Sequence, residues 1–151
     1  MKKVQKILMV LMLFVGLSYG VKQIPIVIEA DQLLFDNRKN IAVYSGNAKI
    51  KRGDLLIKAD KIQVILSRNG DISKFIATGH VLFKAKSMWA KADAVQYSKD
   101  KNYIVLKGNA ELHQQNTVVK GEEIRYYFDD KRFIVIGKGK KVKTIIIPES
   151  K

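Results

Sequence analysis

One pattern is written four times in this chain. The stretches "IEADQLLF", "IKADKIQV", "AKADAVQY" and "VKGEEIRY" each set a small residue (Ala30, Ala59, Ala92, Gly121) directly before an acid (Asp31, Asp60, Asp93, Glu122). These openings lie 29, 33 and 29 residues apart. Each is followed by a glycine (Gly46, Gly79, Gly108, Gly137), at distances of 16, 20, 16 and 16 residues. The longer second unit carries four extra residues within "SRNGDISK", which reads as a loop insertion. A period of this kind restricts the fold to a stack of like units, because each unit buries its apolar face only against its neighbours.

The period inside each unit names the element. Apolar residues fall at even offsets before the glycine, as Ala42 and Tyr44, Phe75 and Ala77, Ile104 and Leu106, and Phe133 and Val135. The same parity continues beyond it with Ala48 and Ile50, Val81 and Phe83, and Ala110 and Leu112, then fades at Gly139 and Lys141. A period of two means strands. At the unit openings the parity slips by one, as from Ile57 and Ala59 to Ile62 and Val64. A one-residue slip sends later side chains to the other face, so each strand bends, bulges or changes sheet there. Turn chemistry at "DNRKN", "SRNGD", "SKDKN" and "DDKR" predicts hairpins. The only prolines, Pro25 and Pro148, bracket the region and leave its ladders intact. The expectation is an all-β domain of about four β repeats, with a sheet that turns a corner.

The first twenty residues stand apart. Lys2, Lys3 and Lys6 precede an apolar run from Ile7 to Leu17, and Ser18 and Gly20 put small residues where signal peptidase reads. The run is shorter than the roughly 20 residues a spanning helix needs, so residues 1–20 are read as a signal peptide cleaved after Gly20. Residues 21–151 are then a single exported domain, destined for the periplasm. Formal charge is +14, or about +11 once the three leader lysines are set aside, which calls for an anionic partner. Outside an inner membrane those anions are lipid headgroups and phosphates rather than nucleic acid. The chain has no cysteine, which excludes disulfides, thiol catalysis and thiolate metal sites together.

No catalytic set is visible, and the chain is read as a non-enzyme without cofactor or metal. His80 and His113 stand without a second histidine at ligand spacing. Glu122 and Glu123 are adjacent, hence on opposite faces of a strand, and read as a solvated strand edge. The recurring acids beside the small residues lack the dense spacing of a calcium loop; they read as acceptors for backbone groups where the ladder bends. The basic strand "KGKKVK", with Lys138, Lys140, Lys141 and Lys143, has two open roles: contact with phosphate, or a lysine guard on a sheet edge.

A curved sheet rich in large apolar residues and a basic surface are both satisfied by a lipid with an anionic head. Burying a dozen methylenes contributes roughly 10 kcal/mol, whereas each lysine near an anionic surface adds about 1. The same apolar pattern also fits a sheet whose side chains simply fill one another's space.

The residues "NYIVLKGNAEL", "VVKGEEIRYYFDDKRFIVIG" and "KGKKVKTIIIP", with the recurring "AD" openings, resemble the OstA-like family of periplasmic lipopolysaccharide-transport proteins. The resemblance implies a twisted antiparallel β-jelly-roll of about sixteen strands holding lipid A acyl chains. It implies no enzymatic activity. It further implies homo-oligomers formed by strand pairing at the two ends, bridging an inner-membrane LptC-like protein to an outer-membrane LptD-like protein. By the resemblance the N-terminal strand lines the groove, which puts Ile26 and Ile28 among the lipid-binding candidates. Parity adds Leu33, Phe35, Phe75, Phe83, Tyr97, Ile104, Leu106, Ile124, Tyr126 and Phe133. Two alternatives remain beside this reading: a membrane-anchored LptC-like partner of the same pathway, and an exported polyanion-binding β module.

Overall fold

The computed structural model describes residues 24–149, so the expected leader lies outside the described residues. Ten strands follow in order: β1 (Val27–Glu29), β2 (Gln32–Asp36), β3 (Ile41–Arg52), β4 (Leu55–Leu66), β5 (Ile72–Ala85), β6 (Met88–Ser98), β7 (Tyr103–Gln114), β8 (Thr117–Tyr127), β9 (Arg132–Ile136) and β10 (Lys143–Ile146). All pairings are antiparallel between sequence neighbours, save that β1 and β2 share the free edge of β3 while β9 and β10 share that of β8. The result is a twisted antiparallel β-jelly-roll that does not close.

The parity slip has a single cause, a line of β-bulges. On β3 the residues Gly46 and Asn47 stand against Asp60 alone, between the pairs Ser45–Lys61 and Ala48–Ala59. On β7, Gly108 and Asn109 stand against Glu122 alone, between Lys107–Glu123 and Ala110–Gly121, and Gly79 and His80 of β5 do the same against Asp93. In every case both bulge residues take left-handed φ, 81° and 46°, 82° and 50°, 83° and 47°. An L side chain tolerates that region poorly, and Gly followed by Asn is the pair that enters it most readily. The recurring "GN" is therefore a bulge signature. Because the bulges on the alternate strands β3, β5 and β7 are aligned across the sheet, they form a crease that divides it into two arms.

Small residues beside the crease let the arms fold toward each other. Ala48 faces Ala59, Val81 faces Ala92 and Ala110 faces Gly121 across neighbouring strands, and all but Gly121 are almost fully buried. At Gly121 a Cβ would lie 2.5 Å from Val135 Cγ1, so even an alanine there pushes on β9. No helix is present among the described residues to cover the sheet, yet Ile50 in one arm and Ile62 in the other are 0% exposed. Only the opposing arm supplies the cover. Burying a side chain of that size contributes about 1.5–3 kcal/mol, and Ile62→Ala is expected to cost about 2–5 kcal/mol.

The four hairpins expected at "DNRKN", "SRNGD", "SKDKN" and "DDKR" connect β2–β3, β4–β5, β6–β7 and β8–β9. Three two-residue turns at the opposite rim complete the meander: Gly53–Asp54, a strong hairpin pair, and Lys86–Ser87 and Gln115–Asn116, whose turn chemistry is weaker. The ten strands reconcile with the sixteen implied by the resemblance: the six strands β3–β8 run through the crease and count once in each arm, while four edge strands count once. One expectation is corrected. Gly137 to Val142 is a turn, with left-handed Lys138 and Gly139 and the Lys140 N–H donating to Gly137 O, so "KGKKVK" is not a strand and only Lys143 enters β10.

Candidate functional site

The apolar interior between the arms runs from one open edge of the sheet to the other. Its fully buried part includes Phe75, Tyr97 and Ile124, three of the residues singled out by parity. Burial pushes the Tyr97 hydroxyl pKa up. Ile28, Phe83, Ile104, Leu106 and Tyr126 are half-buried and pack against that core. These five, contributed by β1, β5, β7 and β8, form the rim of that core. The Tyr126 hydroxyl oxygen is buried without a hydrogen-bond partner, an unusual cost for a tyrosine that faces an apolar interior.

Ile26, Leu33, Phe35 and Phe133 sit elsewhere. They are exposed, on or beside the outermost strands, and not among the core residues. Leu34 is exposed next to Leu33, so both faces of β2 present large apolar side chains, as β9 does through Phe133 and Ile134. The structure thus divides the twelve candidates into core, rim and edge. Phe128, which continues the parity of Ile124 and Tyr126, was not singled out; it is buried and meets Tyr126 and Tyr97 edge-on at 4.9 and 6.5 Å. Leu66 and Val135 likewise join the rim.

The outer face of the crease carries a polar ladder. Asn47 Nδ2 reaches Asp31 at 3.4 Å, His80 Nδ1 meets Asp60 at 2.9 Å, and Asn109 Nδ2 donates to Asp93 at 3.1 Å. The recurring acids thus bind the bulge side chains. The hydrogen bond to Asp60, reinforced by its charge, holds the His80 imidazole above its ordinary pKa. In the fourth unit Lys138 replaces the amide and Glu123 takes the acid's part, 2.9 Å apart, with Arg125 also donating to Glu123. This corrects the solvated-edge reading: Glu123 is only 2% exposed. Burial raises its pKa, and the hydrogen bonds from Lys138 and Arg125 with their charges outweigh this and hold the carboxyl below its ordinary value.

Beside this end of the crease lies a cleft of about 220 Å³ lined in part by Lys120, Lys140, Lys141 and Lys143, with Glu111 and Glu122. Glu111 is already engaged: its hydrogen bond with His113, at 2.8 Å, outweighs burial and with Lys91 and Lys120 holds its pKa down. His113 in turn stacks on Trp89 with ring centroids 3.7 Å apart. Neither histidine belongs to a metal-holding cluster among the described residues.

An open, creased jelly-roll of this kind has known counterparts. The model of the family described as LptA/(LptD N-terminal domain) LPS transport protein matches residues 27–132. The chain belongs to this family. The lipopolysaccharide export system protein LptA of Escherichia coli K12 is 30% identical over 133 residues, covering 82% of this chain and 71% of that protein. Its counterpart in Haemophilus influenzae Rd is 29% identical over 133 residues, covering 82% and 77%. Among solved structures, LptH, the LptA-homologous periplasmic component of the lipopolysaccharide transport device of Pseudomonas aeruginosa, superposes with a TM-score of 0.69 at 21% identity, covering 82% of this chain and 96% of that one. The LptA/LptD N-terminal family is one of lipopolysaccharide transport. The family match begins at β1 and ends at the start of β9, so the C-terminal lysines lie beyond it.

Proposed function

We propose that this chain carries lipopolysaccharide across the periplasm, seating the lipid A acyl chains between the two arms and bridging the inner and outer membranes as head-to-tail copies. The observation that carries this reading is the apolar interior that reaches both open edges of an unclosed sheet. A closed barrel or capped sandwich would end such a surface; here it is free to continue into a neighbour. Ile28, Phe83, Ile104, Leu106 and Tyr126 are assigned to the acyl chains, with Phe75, Tyr97 and Ile124 forming the floor beneath them. Ile26, Leu33, Phe35 and Phe133 are assigned to the junctions with neighbours. Those neighbours are further copies, an LptC-like inner-membrane protein at one end and an LptD-like outer-membrane protein at the other, each offering a strand edge. Lys140 and Lys141 face the phosphates of the head. Each methylene buried contributes about 0.8 kcal/mol, so tails set affinity and lysines set orientation.

The test is photo-crosslinking in intact cells from a reactive residue at Phe83 or Ile28, compared with one at Lys140. Lipopolysaccharide adducts at the two apolar positions are the expected result. Adducts confined to the lysine would remove the interior from the mechanism.

One observation favours a second reading, an exported polyanion-binding module: Lys140, Lys141 and Lys143 line the cleft, and among the described residues the ion pairs there engage Lys120 and Lys138 instead. Polyanion binding through these lysines falls steeply as salt rises, whereas binding of acyl chains does not. The membrane-anchored alternative turns on retention of residues 1–20, and an N-terminus found at Val21 excludes it.

A further inference from the structure

The two edges of the sheet fit one another in one register, and that register is already written inside the chain. We propose that a second copy docks its β1–β2 edge on the β9–β10 edge with Arg132 opposite Asp36 and Lys143 opposite Glu29. This rests on the head-to-tail stacking above and specifies its contacts.

Direction comes first. The sheet is crossed by eight strand paths: β1 with β2, the six through-strands, and β9 with β10. Neighbouring paths are antiparallel, so with an even number the first and last run in opposite directions. A copy added head-to-tail therefore continues the antiparallel alternation. The arms also match. β2 and β9 lie in one arm, pairing with Ile41–Ser45 of β3 and Glu123–Tyr127 of β8, while β1 and β10 lie in the other.

The register follows from the bulges. Three times, the residue before the bulge glycine stands opposite the residue after the next acid: Ser45 with Lys61, Thr78 with Ala94, Lys107 with Glu123. Gly137 is the fourth glycine, and the next acid is Asp31 of the following copy. Ile136 then takes Gln32, and the antiparallel run sets Ile134 against Leu34, Phe133 against Phe35 and Arg132 against Asp36. In the other arm, Lys49, Leu82 and Glu111 stand opposite Lys58, Lys91 and Lys120, each two residues before its acid. The place of Leu82 and Glu111, as seen from the preceding strand, is held in the fourth unit by Lys143, which pairs with Lys120 as they pair with Lys58 and Lys91. Its partner in the following copy is therefore Glu29, and Ile145 comes to face Val27.

Side chains played no part in fixing this register, and they agree with it. Opposite charges meet in both arms, and the central pairs join apolar residues that the single chain leaves exposed: Phe133 at 48% with Phe35 at 47%, Ile134 at 37% with Leu34 at 60%. A slip of two residues sets Ile134 against Asp36 and Arg132 against Arg38, and a slip of one turns every side chain to the other face. An uncovered edge with Leu33, Leu34 and Phe35 in succession and no central lysine is an aggregation hazard unless something pairs with it; a second copy removes the hazard.

The chain has no cysteine, so the register is read directly by disulfide trapping. Purified mature chains carrying Ile134→Cys are mixed with chains carrying Leu34→Cys, and Phe133→Cys with Phe35→Cys, in lipid-free buffer under mild oxidation. Facing Cα atoms in an antiparallel pair lie about 4.5 or 5.5 Å apart, within disulfide reach. Matched mixtures are expected to form the mixed dimer at least tenfold faster than Ile134→Cys with Asp36→Cys. Arg132→Glu is expected to slow trapping about fivefold, and Asp36→Arg on the partner chain to restore it. All the sites are exposed or half-buried at sheet edges, and circular dichroism checks that each variant folds.

If the shifted pair forms faster, the register is wrong while head-to-tail stacking stands; if Leu34→Cys chains couple to themselves instead, like edges pair and both the register and head-to-tail stacking are overturned. Chains that never associate overturn stacking and register together. The lipid-free buffer keeps this outcome separate from the cargo: matched trapping alongside absent lipopolysaccharide adducts would retain the junction and reject the cargo.

Discussion

Asp93 occupies the space in which a side chain on Gly108 would begin. A Cβ built on that glycine would lie 2.8 Å from Asp93 Cβ, and the same relation joins Gly46 to Asp31 and Gly79 to Asp60. The acid sits there because it accepts from Asn109, so glycine, amide and carboxylate form one unit.

Gly108→Ala is therefore expected to destabilise the fold by about 2–3 kcal/mol, combining the cost of left-handed φ with displacement of Asp93. Gly70→Ala is the comparison. Gly70 has φ of +90° but nothing within 4 Å of its Cβ position, so it carries only the backbone cost, about 1 kcal/mol. Denaturant midpoints of the two variants measure the difference, and equal losses would separate Asp93 from the bulge.

Glu123→Ala removes a buried carboxylate that two cations address, and is expected to cost about 2 kcal/mol, because Arg125 and Lys138 reach water once released. The pH dependence has a definite sign. A carboxyl held below its unfolded value of 4.5 stabilises the fold above that pH and loses the contribution as pH falls through the folded value. The gap between the wild type and Glu123→Ala should accordingly narrow below about pH 4.5 in acid unfolding curves.

His80 has the opposite slope. Its pKa is raised above 6.5 by Asp60, so its contribution is complete below 6.5 and fades as pH rises through the folded value. His80→Asn restores the residue found at the other two bulges and abolishes this dependence. Melting temperatures of the two proteins, compared from pH 6 to pH 9, are expected to converge upward from an acid-side advantage for the wild type.

Tyr126→Phe deletes a hydroxyl that is buried without a partner. The variant is expected to be as stable as the wild type or up to about 1 kcal/mol more so, since an unsatisfied polar group is removed at little cost in packing. A loss above 1 kcal/mol in urea unfolding would show that the hydroxyl is satisfied in solution.

The sheet was legible because its signals are local and repeated. Parity around Gly46, Gly79 and Gly108 names the strands, and the slip at Ala59–Asp60 and its equivalents marks the crease. The sequence reading allowed a bulge or a change of sheet at that slip. Left-handed φ at Gly and the following Asn or His decides for a bulge, which follows from pairing rather than from any one residue. Glu123 was illegible for a related reason. Its burial depends on Lys138 arriving fifteen positions later, and a strand pattern read alone assigns an acid to water. Parity also cannot separate Phe75 from Phe133. Both stand at the same offset from their glycine, but one lies in a central strand and the other at an edge, so only strand order gives them different exposures.

An open sheet crossed by eight paths is also a measure of length. With strands about 4.8 Å apart, each copy added in register extends the sheet by about 38 Å. In the head-to-tail bridge proposed above, the span between two membranes would be covered in whole increments of that length, and the ends at which a different protein offers the matching edge would set their number.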